Sequence, residues 1–286
     1  MIPVDGTPDH DANAVDRDAT DADDPAHDAN DSAHDANDSA HDANDSAHDA
    51  DDSAHDANDS AHDANATDRD TPGAGVTPAA REITPAAPEE FGLVQVWWGD
   101  GKGKTTAALG MGVRAAGHGY RVHLLQFMKG GADSVEPDRG EYNAIAALPG
   151  LSYENTGHYG WHGFRDGSAD DDHAAKAAGG LERARELIDA AGEADLTAPL
   201  PLSGDPEAGV HLLILDEVLY AADRGLIDPD DVRGLIDAKP DALELVVTGS
   251  HTRPDYLEDD ADLITRVAKE KHPIDAGQRA RKGTEF

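Results

Sequence analysis

The sequence predicts an α/β domain, a mostly parallel sheet covered by helices, carried behind a disordered acidic tail. Three observations predict it. Short apolar runs alternate with helical patterns from Leu93 onward, and the first run ends in a glycine loop that opens a helix. Residues 1–90 are a different material, with three arginines and no lysine against recurring Asp. The boundary therefore falls near Phe91, with residues 1–90 as tail and linker and residues 91–286 as one domain. About 200 residues can bury a sizeable single core.

In the tail, the unit His-Asp-Ala-Asn-Asp-Ser-Ala recurs from His27 to about Asn65, with histidines at 27, 34, 41, 48, 55 and 62. A seven-residue period suggests a coiled coil, but Ala is its only apolar residue and no seam could be buried. Little apolar area is available to offset chain entropy, so disorder is expected. Regularly spaced His and Asp also suggest weak sequestration of a divalent metal. Thr71–Glu90, rich in Pro and Ala, reads as an extended linker.

Leu93–Trp98 is an apolar, β-branched run of strand length. It meets Gly99-Asp100-Gly101-Lys102-Gly103-Lys104-Thr105-Thr106, after which Ala107-Ala108-Leu109 opens a helix. Strand, glycine loop and helix in this order make a phosphate loop. Glycines let the backbone curl so that amides face phosphate oxygens, and the helix adds its positive dipole end. Lys104 supplies a mobile charge for the terminal phosphates, Lys102 a second cation, and the Thr105 hydroxyl is placed for Mg²⁺. The loop is one residue short of the common pattern, with Trp98 where its first glycine would stand.

Further strands are expected at Arg121–Phe127, Leu151–Asn155, Val210–Asp216, Leu243–Thr248 and Leu263–Val267. Helices are expected at Asp172–Ala191 and Pro229–Ala238, the latter capped by Asp228 with Pro229 at its first position. Val210–Leu215 runs into Asp216-Glu217. An apolar strand ending in carboxylates is how such folds face Mg²⁺ across from the phosphate loop, and Glu217 is placed slightly ahead of Asp216. Asn155–Phe164 gathers Tyr159, Trp161 and Phe164 between glycines in a chain only 5% aromatic. It reads either as local packing or as a lid for a large, flat, apolar ligand. His158 and His162 lack partners at metal-ligand spacing.

Composition closes off other classes. A net charge of -36 argues against nucleic acid, whose phosphates require Lys and Arg. Asp170–Asp172, Asp228–Asp231 and Glu258–Asp262 read as a solvated surface suited to high salt. Without cysteine there is no disulfide, thiolate nucleophile or zinc–cysteine site. No apolar run reaches the roughly 20 residues that span a bilayer, and no secretory signal pattern opens the chain. A cytoplasmic protein is expected.

Taken together, Gly99–Ala108, Arg114–Gly119, Gln126–Gly130, Leu215–Glu217 and the closing Lys271–Phe286 resemble the P-loop corrinoid adenosyltransferases. The resemblance covers about residues 91–286. It implies a RecA-like P-loop domain acting as a homodimer, fed electrons by a reductase or flavoprotein. The implied reaction joins the 5′ carbon of ATP to the cobalt(I) of a corrinoid and releases triphosphate. By similarity Gly99–Thr106 hold ATP, Thr105 and Glu217 (with Asp216) hold Mg²⁺ or Mn²⁺, and Lys104, Thr105 and Glu217 carry the catalysis. Tyr159 and Trp161 fall where the family crowds the lower corrin face with aromatics. Three stretches depart from the pattern: the aromatic loop itself, Glu193–Gly209 as a surface insertion, and Ser250-His251-Thr252.

Overall fold

Six short runs form strands, most of them rich in the β-branched, aliphatic and aromatic residues that favour a pleated, half-buried surface. They are β1 (Val94–Trp98), β2 (Val122–Gln126), β3 (Leu151–Asn155), β4 (Leu212–Asp216), β5 (Glu244–Thr248) and β6 (Leu263–Arg266). The computed structural model describes residues 79–128, 140–157, 170–278 and 281–284. All five strand pairings are parallel, in the order β3-β2-β4-β5-β1-β6. The expected α/β sheet is therefore present, and every strand falls within two residues of its predicted bounds.

Both faces are covered. On one, Val122, Leu124, Leu212, Ile214 and Val246 pack beneath α1 (Lys104–Gly117) and α2 (Gly140–Ala147). On the other, Leu125, Phe127, Leu213, Leu215, Leu245 and Val247 meet α3 (Asp170–Glu193), α4 (Val218–Asp223) and α5 (Pro229–Ala238). Helix α3 buries Ala177, Leu181, Ala184, Leu187, Ile188 and Ala191, the three-and-four spacing of one helical face. The helix runs two residues past the predicted span at each end. Helix α5 has its predicted bounds, and Asp228 Oδ1 accepts from the Asp230 amide at 2.9 Å.

A compact unit runs from Ala79 to Phe286. The His/Asp repeat, and residues 1–78 as a whole, lie outside the described residues. The described end of the linker has no helix or strand, yet Ala86 N donates to Gly119 O at 3.0 Å and ties it to the domain. Glu193–Gly209 is likewise packed down: Leu196 is buried, and the buried Arg121 donates to Leu202 O and Gly204 O at 2.9 Å each. A surface insertion in sequence is here a strap over the start of β2.

His123 sits on the α3 face, 1% exposed, with Nδ1 2.9 Å from Ser152 Oγ and Nε2 3.8 Å from Glu154. Arg183 grips Glu154 with two bonds of 2.7 Å and also reaches Glu186 and Glu207. Burial pushes the imidazole down to about 4, against the opposing pull of Glu154. Because the unfolded chain takes up this proton first, the contribution is intact above an unfolded pKa of about 6.5 and fades as pH falls towards 4. Stability is thus expected to drop by ~3 kcal/mol across that window on this account. Thermal melts between pH 6.5 and 4 should show a visibly shallower slope for His123→Gln; identical slopes would contradict the assignment.

Candidate active site at the carboxyl edge of the sheet

Strand β1 delivers its chain directly into the glycine loop, and the loop is fastened from behind by the segment that leaves β6. Val267 N donates to Trp98 O at 2.7 Å, Gly101 N to Val267 O at 2.8 Å, and Lys269 N to Asp100 Oδ1 at 3.1 Å. The Lys269 amide holds the exposed Asp100 carboxyl below its ordinary range. Arg266 lies 5.3 Å over the Trp98 ring, a cation–π contact that adds to the clamp. This approach explains two glycines. A Cβ on Gly99 would stand 2.3 Å from Val267 O, and one on Gly101 2.7 Å from Ala268 O.

The amides of these two glycines are bonded within the fold, one to the segment after β5 and one to the clamp. Gly99 N donates to Ser250 O at 3.0 Å and Gly101 N to Val267 O, so both serve the loop's own shape. Gly103, with φ of 114°, turns the chain into α1, whose first-turn amides have no intrahelical acceptor in any α-helix. Lys104 folds back over the loop, donating to Gly99 O at 2.6 Å and Gly101 O at 3.0 Å. Lys102 and Thr106 are exposed.

On the α1 face, the last residues of four adjacent strands form a polar row. Asn155 pairs with Gln126 and Gln126 with Asp216 in register, and Thr248 lies one step beyond the Leu215–Val247 pair. Asp216 is fully buried and collects hydroxyls and an amide: Thr248 Oγ1 at 2.6 Å, Thr105 Oγ1 at 2.9 Å and Gln126 Nε2 at 3.1 Å. Thr105 and Asp216, 111 positions apart in sequence, are thereby brought together. Glu217 opens α4 with φ of 64°, and its amide donates to Thr248 Oγ1 at 3.1 Å.

Backbone strain collects at the same edge. The non-glycine residues with positive φ are, among those described, Met128, Glu217 and Ser250, just beyond β2, β4 and β5. Such conformations cost about 1–3 kcal/mol each and persist where the surroundings over-determine them, often at functional sites. In open parallel sheets this carboxyl edge is where ligands sit.

The donors present suit Mg²⁺. A buried carboxylate and a threonine hydroxyl are hard oxygen ligands, and the ion takes one or two carboxylates with phosphate and water. Among the described residues no group of three or more His, Asp or Glu could hold a metal ion.

Residues 90–286 match the family model described as ATP:corrinoid adenosyltransferase BtuR/CobO/CobP. The chain belongs to this family. The corrinoid adenosyltransferase of Pseudomonas aeruginosa is 34% identical over 207 residues, covering 70% of this chain and 86% of that protein. Corrinoid adenosyltransferase CobA of Salmonella typhimurium is 30% identical over 205 residues, covering 70% and 88%. A Sinorhizobium corrinoid adenosyltransferase is 32% identical over 205 residues, covering 69% and 82%. The match begins at residue 90, where the composition of the sequence changes.

Within this corrinoid adenosyltransferase domain, Tyr159 and Trp161, with His158 and His162, lie outside the described residues, as do Lys129 and Gly130 of the Gln126–Gly130 block. Gln126, Thr248 and Tyr142 join the polar row without a sequence motif that gives them a role there. The signal for two of them was available: β2 and β5 each end an apolar run on a polar residue, as β4 does. Among the described residues, no helix is long and apolar enough to cross a membrane.

Proposed function

We propose that this chain is an ATP:corrinoid adenosyltransferase whose glycine loop grips the triphosphate so that C5′ of ATP, and not a phosphorus atom, faces the nucleophile. The observation that carries it is the meeting of Thr105 with buried Asp216 beside Lys104, which folds over the loop. Cobalt(I) of the corrinoid substrate attacks C5′; the Co–C bond forms, the C5′–O5′ bond breaks, and triphosphate leaves with the electron pair. So strong a nucleophile needs no side-chain base. The protein has to align C5′ and spread the charge of the leaving group.

Lys104 exchanges its two carbonyl partners for phosphate oxygens, and the amides opening α1 add the helix dipole. Lys102 extends the positive rim. Thr105 and Asp216 hold Mg²⁺, with Glu217 alongside; the contact with Thr105 favours Asp216 over Glu217 as the principal carboxylate. When bound, Mg²⁺ neutralises triphosphate charge and makes it a better leaving group. On family resemblance, Tyr159 and Trp161 crowd the lower corrin face and exclude water and the axial ligand that oppose reduction. A homodimer and an electron-donating reductase complete the reading.

Anaerobic incubation with ATP, Mg²⁺ and chemically reduced cobalamin tests it. An ATP-dependent absorbance change as the Co–C bond forms is expected. A spectrum that stays that of cobalt(I) would overturn the reading.

A further inference from the structure

We infer that Gln126, held in one orientation by Tyr142, is a positioning residue that aims the Asp216 carboxylate at the metal; this rests on the metal reading of Thr105 and Asp216 above. The amide is fully buried at the last position of β2, level with Asp216 on β4. Its two ends are chemically different, and the structure distinguishes them. Nε2 donates to Asp216 Oδ2 at 3.1 Å, and Oε1 accepts from the Tyr142 hydroxyl at 3.0 Å. That hydroxyl itself accepts from Asn155 Nδ2 at 3.0 Å, which commits its own proton to Gln126.

A direction of donation therefore runs Asn155, Tyr142, Gln126, Asp216. Turning the amide over would set Oε1 against a buried carboxylate and leave two donors facing at Tyr142. Against a fully buried carboxylate such a conflict of lone pairs is costly. The Tyr142 ring is held in turn by stacking on Tyr153, centroids 4.5 Å apart and 6° from parallel.

The consequence appears when the cation arrives. Thr105 Oγ1 straddles both carboxylate oxygens, at 2.9 and 3.2 Å. To ligate a metal it must present a lone pair and give up donating to Asp216. Thr248 on Oδ1 and Gln126 on Oδ2 are then the side-chain donors of this row that keep the carboxylate in plane. Charge-assisted bonds of this kind orient metal ligands, and losing one typically costs 10–100-fold in metal affinity.

The test is Mn²⁺ binding, read by electron paramagnetic resonance on the full chain with saturating ATP and no corrinoid, so that no transfer occurs. Tyr142→Phe keeps the ring stack and removes only the hydroxyl, and Gln126→Leu removes the donor. Asp216→Asn serves as the control for the site itself. We expect Mn²⁺ affinity to fall by ~10-fold in Gln126→Leu and by a smaller, measurable factor in Tyr142→Phe, with metal-free ATP binding unchanged in both. Wild-type Mn²⁺ affinity in Tyr142→Phe, with affinity lost in Asp216→Asn, overturns the positioning role and leaves the metal site standing. Wild-type affinity in Asp216→Asn overturns both. Should Gln126→Leu fail to fold, the Tyr142→Phe result decides.

Discussion

Lys104→Ala is expected to lower kcat/KM for adenosyl transfer by ~10³-fold or more while leaving the fold in place. The ammonium folds over the loop on Gly99 O and Gly101 O and is the mobile cation best placed to follow charge onto the departing triphosphate. In a water-poor site that charge is worth far more than on the surface. The two carbonyl bonds lost in the empty enzyme are part-buried and local to the loop, so the packing of the sheet does not depend on them. Anaerobic rates set beside circular dichroism melts separate the two effects. Transfer at the wild-type rate in this variant would remove the phosphate loop from the reaction.

The second large effect is expected at Asp216. Asp216→Asn keeps the shape of a fully buried side chain but removes its charge, and should cost ~10²-fold in kcat/KM with a sharply raised Mg²⁺ requirement. Glu217→Gln should cost at least ~10-fold less, because the carboxylate that accepts from Thr105 is that of Asp216. Measuring activity against Mg²⁺ concentration for both variants ranks them. If Glu217→Gln proves the more damaging, the metal is held differently from the arrangement argued above.

Much of this was legible in the sequence because local rules and tertiary placement agree. Apolar runs such as Leu212–Leu215 can be little other than buried strands, and Asp228-Pro229 marks a helix start by its own chemistry. The glycine loop was legible for the same reason, since strand, loop and helix are contiguous. What the chain order hides is register. That Gln126, Asp216, Thr248 and Asn155 share one row follows only once β2, β3, β4 and β5 are aligned, and Tyr142 joins it from a separate helix.

The glycines show a second limit. Gly99 and Gly101 read as phosphate-facing amides, yet both amides are committed to carbonyls of Ser250 and Val267, far along the chain. They are glycine because the strand-end segment after β6 passes too close for a Cβ. On the proposed function, the grip on phosphate accordingly falls to the start of α1 and to Lys104. Likewise, that Glu193–Gly209 is strapped down by Arg121 is something sequence spacing cannot reveal.

On the proposed function, the site presents carbon to the nucleophile while it holds three phosphates together. Quantifying the phosphate product of a single anaerobic turnover with reduced cobalamin tests this most directly. Intact inorganic triphosphate is expected, one for each cobalt–carbon bond formed. ADP with orthophosphate, appearing in step with turnover, would contradict it.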